Sequence, residues 1–469
     1  MNKKNFQHII LISLDTLRAD CISASPLAYN FLNKYKINFK LKTQGLDDIL
    51  NNGFYFNDCI SSAPYTSASH ASYFTGFWPV NHRVYEFFNR KINKPTIFEY
   101  AKRSGYQTIF QTDFPIILGK YLGFTKCVDH YYVENEKAAL NQLVNTKGKT
   151  LSFFHFGGIH YPYGFHNLKF GGKDYLRKIN ILEKKYKIKK SEQIEDVLDE
   201  SFRSALDRKL LLRYKAIIEV MYEEELYDDL FYLYLEGINY FFKNRFNDFL
   251  KKIKFFVDNH NALLVIFSDH GEAWDKNSYG HHNSLSDETL RVPLLFYGKG
   301  VQRKVVNDMV RTIDLVPTII DLLEDSKIKI KMDGKRLNIF NYKKQKFLKK
   351  YAIAQVWKVG DKSKLYNYQK KVSMEGENIK PLKTFLDSET AYDGRHKLIR
   401  LYNQNGYLID EIFLFKKGKN FIRFQNKKKV ISLRKILKNY NNLFKNNVDI
   451  IKEISVNLKK SLQDLGYKV

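Results

Sequence analysis

The chain has 469 residues, 44% of them hydrophobic, which suits a large α/β core with a smaller companion and excludes a disordered chain. Its formal net charge is +28, but the lysines run along the whole length and mix with Asn, Ile, Tyr and Phe, so the charge reads as a compositional habit and no specific nucleic-acid partner is expected. Three cysteines, Cys21, Cys59 and Cys127, have no short metal-ligand spacing; they argue against a disulfide framework and for a reducing, cytoplasmic setting.

The start, MNKKNFQHIILISLDTLRAD, has the basic residues and apolar run of a leader. However, IILISL is short, no small-residue cleavage site follows, and an acid comes directly after it. It is read as a buried strand, HIILISLD (8–15). Nowhere do about eighteen apolar residues run together, so no membrane span is expected, while peripheral contact stays open. PYTSASHASYFTG (64–76) passes from a loop into a helix and carries a cluster of hydroxyls and His70. NKPTIFEYAKRSG (93–105) reads as an amphipathic helix. YQTIFQTD (106–113) and TLSFFHFGG (150–158) read as buried parallel strands. Residues 174–225 read as a helical insertion or lid, and YLEGINYFFKNRFNDFLKKIKFFVDNHN as a long helix feeding the strand ALLVIFSD (262–269). VPLLFYG (292–298) completes the set of buried parallel strands. After about residue 326 the pattern changes. YAIAQVWKVG, GRHKLIRLY and DEIFLFKKGKN read as strands of a small antiparallel subdomain, closed by a helical tail at 446–465. The expected organisation is a catalytic domain over 1–325 and a C-terminal subdomain over 326–469. The fold class is α/β, with a central, mostly parallel sheet flanked by helices.

Three of the strands end in aspartate: Asp15, Asp113 and Asp269. Open α/β sheets bind ligands at the carboxyl ends of their strands, so these acids should gather on one rim. In SDHGE (268–272), Asp269 and His270 offer a carboxylate oxygen and an imidazole nitrogen to one cation, and Asp15 can supply a third ligand. Thr66 or Ser67 falls near the N-cap of the helix in PYTSASH, where unpaired N–H groups favour an anion. A hydroxyl there, beside a divalent metal, would have its pKa lowered and become a nucleophile.

In order along the chain, LISLDTLRAD, APYTSASHASYFTGFWPVNHRV, GYQTIFQTD, FHFGGIHYPYG, FSDHGE, GHHNSLSDETLRVPLLFYG and MDGKRL resemble the sulfatase branch of the alkaline phosphatase superfamily. That resemblance implies its sandwich fold and a metal-dependent esterase chemistry. In sulfatases proper the nucleophile is a Cys or Ser oxidised to formylglycine, in the pattern Cys/Ser-x-Pro-Ser-Arg with Thr-Gly following. Counting back from Thr75-Gly76 puts Thr66 at the nucleophile, Ala68 at the Pro and His70 at the Arg. Threonine cannot become formylglycine. Relatives with Thr here attack phosphorus, so the resemblance implies a hydrolase or transferase of phosphoesters, phosphodiesters above all. Sulfate or phosphonate esters, and an inactive homologue that binds an anionic glycan, are the alternatives.

The resemblance also implies a metal set of Asp15, Thr66, Asp269 and His270, with one divalent ion; Mn²⁺ or Zn²⁺ suits mixed O/N ligands better than Ca²⁺. Thr16 stands where many sulfatases have a second acid, and Phe156 where two-zinc relatives have an Asp, so a complete second metal site is not expected. His160 and His281 match substrate-contacting positions, either one a candidate to protonate the leaving group; His282 is the neighbour that competes with His281. His70 and Asp113 are candidate substrate-binding residues, Asp113 for the hydroxyls of a sugar or glycerol. The expected partner is an anionic ester, with glycans and lipid-linked precursors as candidates.

Overall fold

The structure, a computed structural model, describes residues 5–85, 90–161, 163, 168–187, 205–276, 278–281, 283–323, 331–342, 351–359, 384–417, 420–423 and 428–443. The strands of its first sheet, in chain order, are β1 His8–Leu14, β2 Phe54–Ile60, β3 Gln107–Thr112, β4 His130–Val133, β5 Thr150–Phe156 and β6 Ala262–Phe267. A two-stranded ribbon, β7 Trp274–Asp275 and β8 Ser278–Tyr279, interrupts this series before β9 Arg291–Gly298, β10 Lys304–Val306 and β11 Val310–Arg311. The sheet runs β10-β2-β9-β6-β1-β5-β3-β4, with β11 also paired to β2.

Every residue of β1 is buried, because the strand lies mid-sheet with a layer on each side. Alternation sends Ile10, Ile12 and Leu14 to one face and Ile9 and Leu11 to the other. The first face packs on helices Gln44–Asn52, Tyr227–Phe241 and Asn247–Asn259 through Ile49, Phe231, Ile238 and Ile253. The second packs on Thr66–Thr75, Ile97–Arg103 and Leu315–Ile320 through Phe74, Phe98 and Ile319. The result is a three-layer α/β sandwich.

Strands β6, β1, β5, β3 and β4 are mutually parallel, so their carboxyl ends share one edge. β9 departs from the expectation: it runs antiparallel to both β6 and β2. The apolar run VPLLFYG reports burial on both faces, which an antiparallel strand inside a sandwich shares with a parallel one.

The helix expected over 93–105 is shorter, Ile97–Arg103, and starts after Thr96, with the Glu99 carboxylate accepting from Thr96 N at 2.9 Å. The long helix before β6 is broken by a π-turn at Phe242–Phe246. Helices Leu168–Lys185 and Ala205–Glu223 occupy most of the expected insertion, and Ile179, Leu182, Tyr214 and Ile217 join the main core. The described part of the insertion is therefore packed onto the sandwich.

The second sheet is antiparallel: β12 Ala352–Val359, β13 Thr384–Tyr392, β14 His396–Tyr402, β15 Leu408–Lys417 and β16 Asn420–Arg423, in that order. Helix 428–443 buries Leu433, Leu437 and Tyr440 against it, and this cluster reaches Tyr65, Ala68 and Trp78 beside the first sheet. The tail at 446–465 lies outside the described residues. Among the described residues no helix is long and apolar enough to cross a membrane.

Buried His82 accepts from Val84 N at 3.1 Å through Nδ1 and donates to Ser72 Oγ at 2.8 Å through Nε2, and burial pushes its pKa down to about 3. Protonating Nδ1 would strand the Val84 N–H. The neutral ring's contribution is complete above the unfolded pKa near 6.5 and is lost as pH falls toward 3. Acidifying from pH 7.5 to 5 should therefore cost about 2 kcal/mol at this residue. Urea unfolding at the two pH values checks this: His82→Asn should lose less stability between them than the unaltered protein does.

Candidate functional site

The site begins where β1 ends. Asp15 N donates to Phe156 O, and the next residue, Thr16, takes φ +63°. A left-handed β-branched residue is strained, and the strain has a local counterpart: Thr16 N donates to Asp269 Oδ1 at 3.3 Å. Asp269 and His270 follow β6, the neighbour of β1, so the sheet itself brings Asp15 and Asp269 together. Both are fully buried.

Thr66 is the first residue of helix Thr66–Thr75. The N-cap is Tyr65, without a side-chain cap, so Thr66 and Ser67 fall beside the N-cap, in the first turn. Thr66 Oγ1 instead donates to Asp15 Oδ2 at 3.2 Å and lies 3.3 Å from His270 Nε2. Tyr65 is held from the second sheet: its hydroxyl donates to Trp357 O at 3.1 Å and accepts from Trp357 N at 3.0 Å. The C-terminal sheet thus fixes the residue next to Thr66.

His270 donates from Nδ1 to Gly271 O at 3.0 Å, which leaves the Nε2 lone pair facing Asp269 Oδ2 at 3.3 Å and Asp15 Oδ1 at 3.7 Å. A lone pair and two carboxylates have no reason to converge without a positive charge among them. Asp15 Oδ1 and Asp269 Oδ2 are buried and have no hydrogen-bond partner among the described residues. Burial pushes the Asp269 pKa up to about 6, and the charge of Asp15 adds to that. Burial acts the same way on Asp15, but the hydrogen bond from His155 and the fields of His160 and His270 hold it below the usual carboxylate range. One ligand atom from each of Asp15, Asp269 and His270 lies within 4.8 Å of the others. Two oxygens and an imidazole nitrogen so disposed fit a divalent cation.

His155 is a site neighbour that the sequence reading missed. Its Nε2 donates to Asp15 Oδ2 at 3.0 Å, and its Nδ1 lies 3.3 Å from Thr112 Oγ1. It stands opposite Ser13 in the β1–β5 pairing, two residues before Asp15, a register that no local pattern shows. His160 Nδ1 donates to Tyr161 O at 2.8 Å, and burial lowers its pKa. The ring of His281 lies 4.2 Å, centroid to centroid, from that of His270 and 5.1 Å from that of His160, so three imidazoles stand together beside Thr66. His282 lies outside the described residues.

Two expectations are corrected. His70 does not present a ring nitrogen for substrate: Nδ1 donates to Thr66 O at 2.7 Å and Nε2 meets Ser13 Oγ at 2.8 Å, with the ring fully buried. Burial lowers its pKa to about 3, so the neutral ring braces the first turn of the Thr66 helix. Asp113 is likewise engaged. Arg245, from the π-turn, grips it through Nη1 at 2.6 Å and Nη2 at 2.9 Å, while Gly157 N and Gln111 Nε2 donate to it at 2.9 and 3.0 Å. Arg245 also holds Glu136, so it joins two carboxylates under the Gly157–His160 turn. Removing it with Arg245→Ala strands both acids in the interior and should cost about 3–5 kcal/mol in urea unfolding. Cation binding at Asp15, Asp269 and His270 should survive in the fraction that folds, measured by metal titration. Arg18 and Arg291 brace the fold: Arg18 chelates Asp20 at 2.8 and 2.7 Å, and Arg291 pairs with Asp58 at 3.0 Å.

The family model described as Sulfatase matches residues 7–326. The chain belongs to the sulfatase family. Among curated proteins, the low-salt glycan biosynthesis sulfotransferase Agl7 of Haloferax volcanii is 23% identical over 274 residues, 56% of this chain and 53% of that protein. The chain therefore spans about half the length of the curated relative that it matches. Two solved structures share the sulfatase fold at low identity. The phosphonate monoester hydrolase of Silicibacter pomeroyi superposes with a TM-score of 0.56 at 15% identity, covering 94% of both chains. A protein solved in complex with its substrate D-glucosamine-2-N,6-O-disulfate gives a TM-score of 0.57 at 16% identity, covering 95% of this chain and 99% of its own.

Proposed function

We propose that this sulfatase-family protein is a metal-dependent hydrolase or transferase of phosphoesters, phosphodiesters above all, with Thr66 as the nucleophile. The observation that carries the reading is the position of Thr66 Oγ1, between Asp15 Oδ2 and His270 Nε2 at the uncapped start of a buried helix. A divalent cation held by Asp15, Asp269 and His270, Mn²⁺ or Zn²⁺ by the donor set, would supply Lewis acidity to Thr66 and to the phosphoryl oxygens.

The chain's own groups do the rest. The first-turn N–H groups, which have no side-chain cap, are placed to receive a phosphoryl oxygen. Asp15 Oδ2, which already accepts a hydrogen bond from Thr66 Oγ1, takes its proton as Oγ1 bonds to phosphorus and the P–O bond to the alcohol breaks. The departing oxygen takes a proton from His281 or His160. Water or an acceptor hydroxyl then attacks the phospho-threonine and gives its proton to that histidine, while Thr66 leaves with the proton held on Asp15. Because threonine carries a methyl on Cβ, oxidation would give a ketone and not the aldehyde of formylglycine, which supports direct attack.

A second reading, sulfate or phosphonate ester cleavage on the same groups, draws support from relatives named for sulfated sugars, sulfotransfer and phosphonate monoesters. Parallel assays on bis(p-nitrophenyl) phosphate, p-nitrophenyl sulfate and a phenylphosphonate monoester, with added Mn²⁺ or Zn²⁺, separate the two. Fastest turnover of the diester, with a phosphoryl group found on the Thr66 peptide by mass spectrometry, supports the first reading. Turnover of the sulfate alone overturns it.

A further inference from the structure

We propose that Glu272 is a positioning residue that orients the imidazole of His281 for proton exchange with the leaving group; the inference rests on the ester-cleaving role proposed above. Three observations converge on it. Glu272 is only 1% exposed, yet no cation pairs with its carboxylate among the described residues. Its side chain meets His281 Nδ1, at 3.1 Å through Oε1 and 3.3 Å through Oε2. A buried carboxyl with no cation is costly unless it is hydrogen-bonded, and here that bond is made to the ring itself.

The second observation is the way both partners are held. The main chain of Glu272 is pinned where its carbonyl accepts from Arg18 Nη1 at 2.9 Å, and Arg18 is chelated by Asp20. Gly280, directly before His281, takes φ +68°, and a Cβ there would stand 2.8 Å from Glu272 Oε1. Only glycine both adopts that backbone and lets the loop close on the carboxyl.

The third is where the ring is aimed. With Nδ1 on Glu272, the ring packs against His270, whose Nε2 is 3.3 Å from Thr66 Oγ1, and beside His160. His160 and His270 have their Nδ1 atoms fixed by main-chain carbonyls; His281 is fixed by a side chain. An imidazole tethered through Nδ1 keeps Nε2 for exchange, the arrangement in which a carboxylate orients a catalytic histidine.

The chemistry balances with no further reagent. As Thr66 Oγ1 bonds to phosphorus and the P–OR bond breaks, the proton on His281 passes to RO⁻. When water attacks the phospho-threonine, His281 takes the water proton and the P–O bond to Thr66 breaks, Oγ1 recovering the proton that Asp15 took in the first step. Glu272 touches no reacting atom in either step.

The test uses two readouts on the full chain. The first needs no activity: ¹⁵N-edited NMR of histidine side chains in the metal-free protein. The His281 ring should show a protonated, slowly exchanging Nδ1 that Glu272→Ala removes and Glu272→Gln, which keeps an acceptor, retains. An Nδ1 signal unchanged in Glu272→Ala overturns the proposal even if no substrate is ever turned over. The second readout compares aryl phosphodiesters whose leaving alcohols differ in acidity. General acid help matters most for poor leaving groups, so Glu272→Ala should lower kcat for a phenyl ester about 10²-fold, and far more than for a p-nitrophenyl ester, with little change in KM. His281→Ala should show the same skew, and the double variant should be no slower than His281→Ala. Equal losses for both leaving groups, or additive losses in the double variant, overturn it. Retention of full activity by Thr66→Ala would instead sink the Thr66 reading, and the NMR result would stand apart from it.

Discussion

Thr66→Ala should lower phosphodiester turnover by at least about 10³-fold, while Thr66→Ser retains a measurable fraction. The size follows from what is removed. Without Oγ1 no covalent intermediate forms, and only binding and the polar surroundings remain to help water attack; loss of a nucleophile that works as one unit with its partners costs most of the rate enhancement. Stability should change little by comparison. Thr66 Oγ1 donates one side-chain hydrogen bond, to Asp15, worth about 1 kcal/mol net. The fold around it rests on Tyr65, His70 and the helix core, none of which the substitution touches. Melting curves within a few degrees, set beside steady-state rates and mass spectra of the Thr66 peptide, check all three statements. A Thr66→Ala protein that turns over bis(p-nitrophenyl) phosphate at the original rate would show that another group attacks.

Much of this site could be read in advance because it is built on strand ends. Strong apolar runs located β1, β3, β5 and β6, and an acid after β1 and β6 placed Asp15 and Asp269 on one rim. Parallel pairing then did what the pattern implied. The direction of β9 was not legible, since burial on both faces says nothing about chain direction. β2, FYFNDCI, passed unnoticed because polar Asn57 and Asp58 break its apolar run; Asp58 is buried on Arg291, a pairing no local pattern contains.

The same limit explains the misreadings within the site. Position alone suggests substrate contacts for His70 and Asp113, yet each is decided by a partner far away in sequence: Ser13 for His70, Arg245 for Asp113. The π-turn that delivers Arg245 sits in an unbroken helical pattern. His155 looked like one more residue of a buried strand. What marks it is its place opposite Ser13 across the β1–β5 pair, and register becomes visible only when the strands meet.

Asp269→Asn should have opposite effects on the metal-free and the metal-loaded protein. In the metal-free state two buried carboxylates and the lone pair of His270 Nε2 face one another, and Asp269 pays for this with a pKa pushed up to about 6 by burial and by Asp15. A carboxyl whose folded pKa lies above its unfolded value binds its proton more tightly when folded. Its stabilising effect is complete below the unfolded pKa near 3.8 and is lost as pH rises through about 6. At pH 7.5 the chelated protein therefore carries the full repulsion, and an amide, which has no charge and still offers an acceptor to Thr16 N, should raise its melting temperature. Adding Mn²⁺ or Zn²⁺ should reverse the order. A cation bound only to the folded state stabilises it by about 2.7 kcal/mol at a hundredfold excess over Kd, and the variant, with one carboxylate fewer, should lose most of that gain together with most of its turnover. Thermal melts at pH 7.5 with and without metal, on both proteins, give the four values needed. If metal shifts both proteins equally, Asp269 is not a ligand; if it shifts neither, the three side chains do not form a cation site, and Thr66 is left without the charge that would sharpen it.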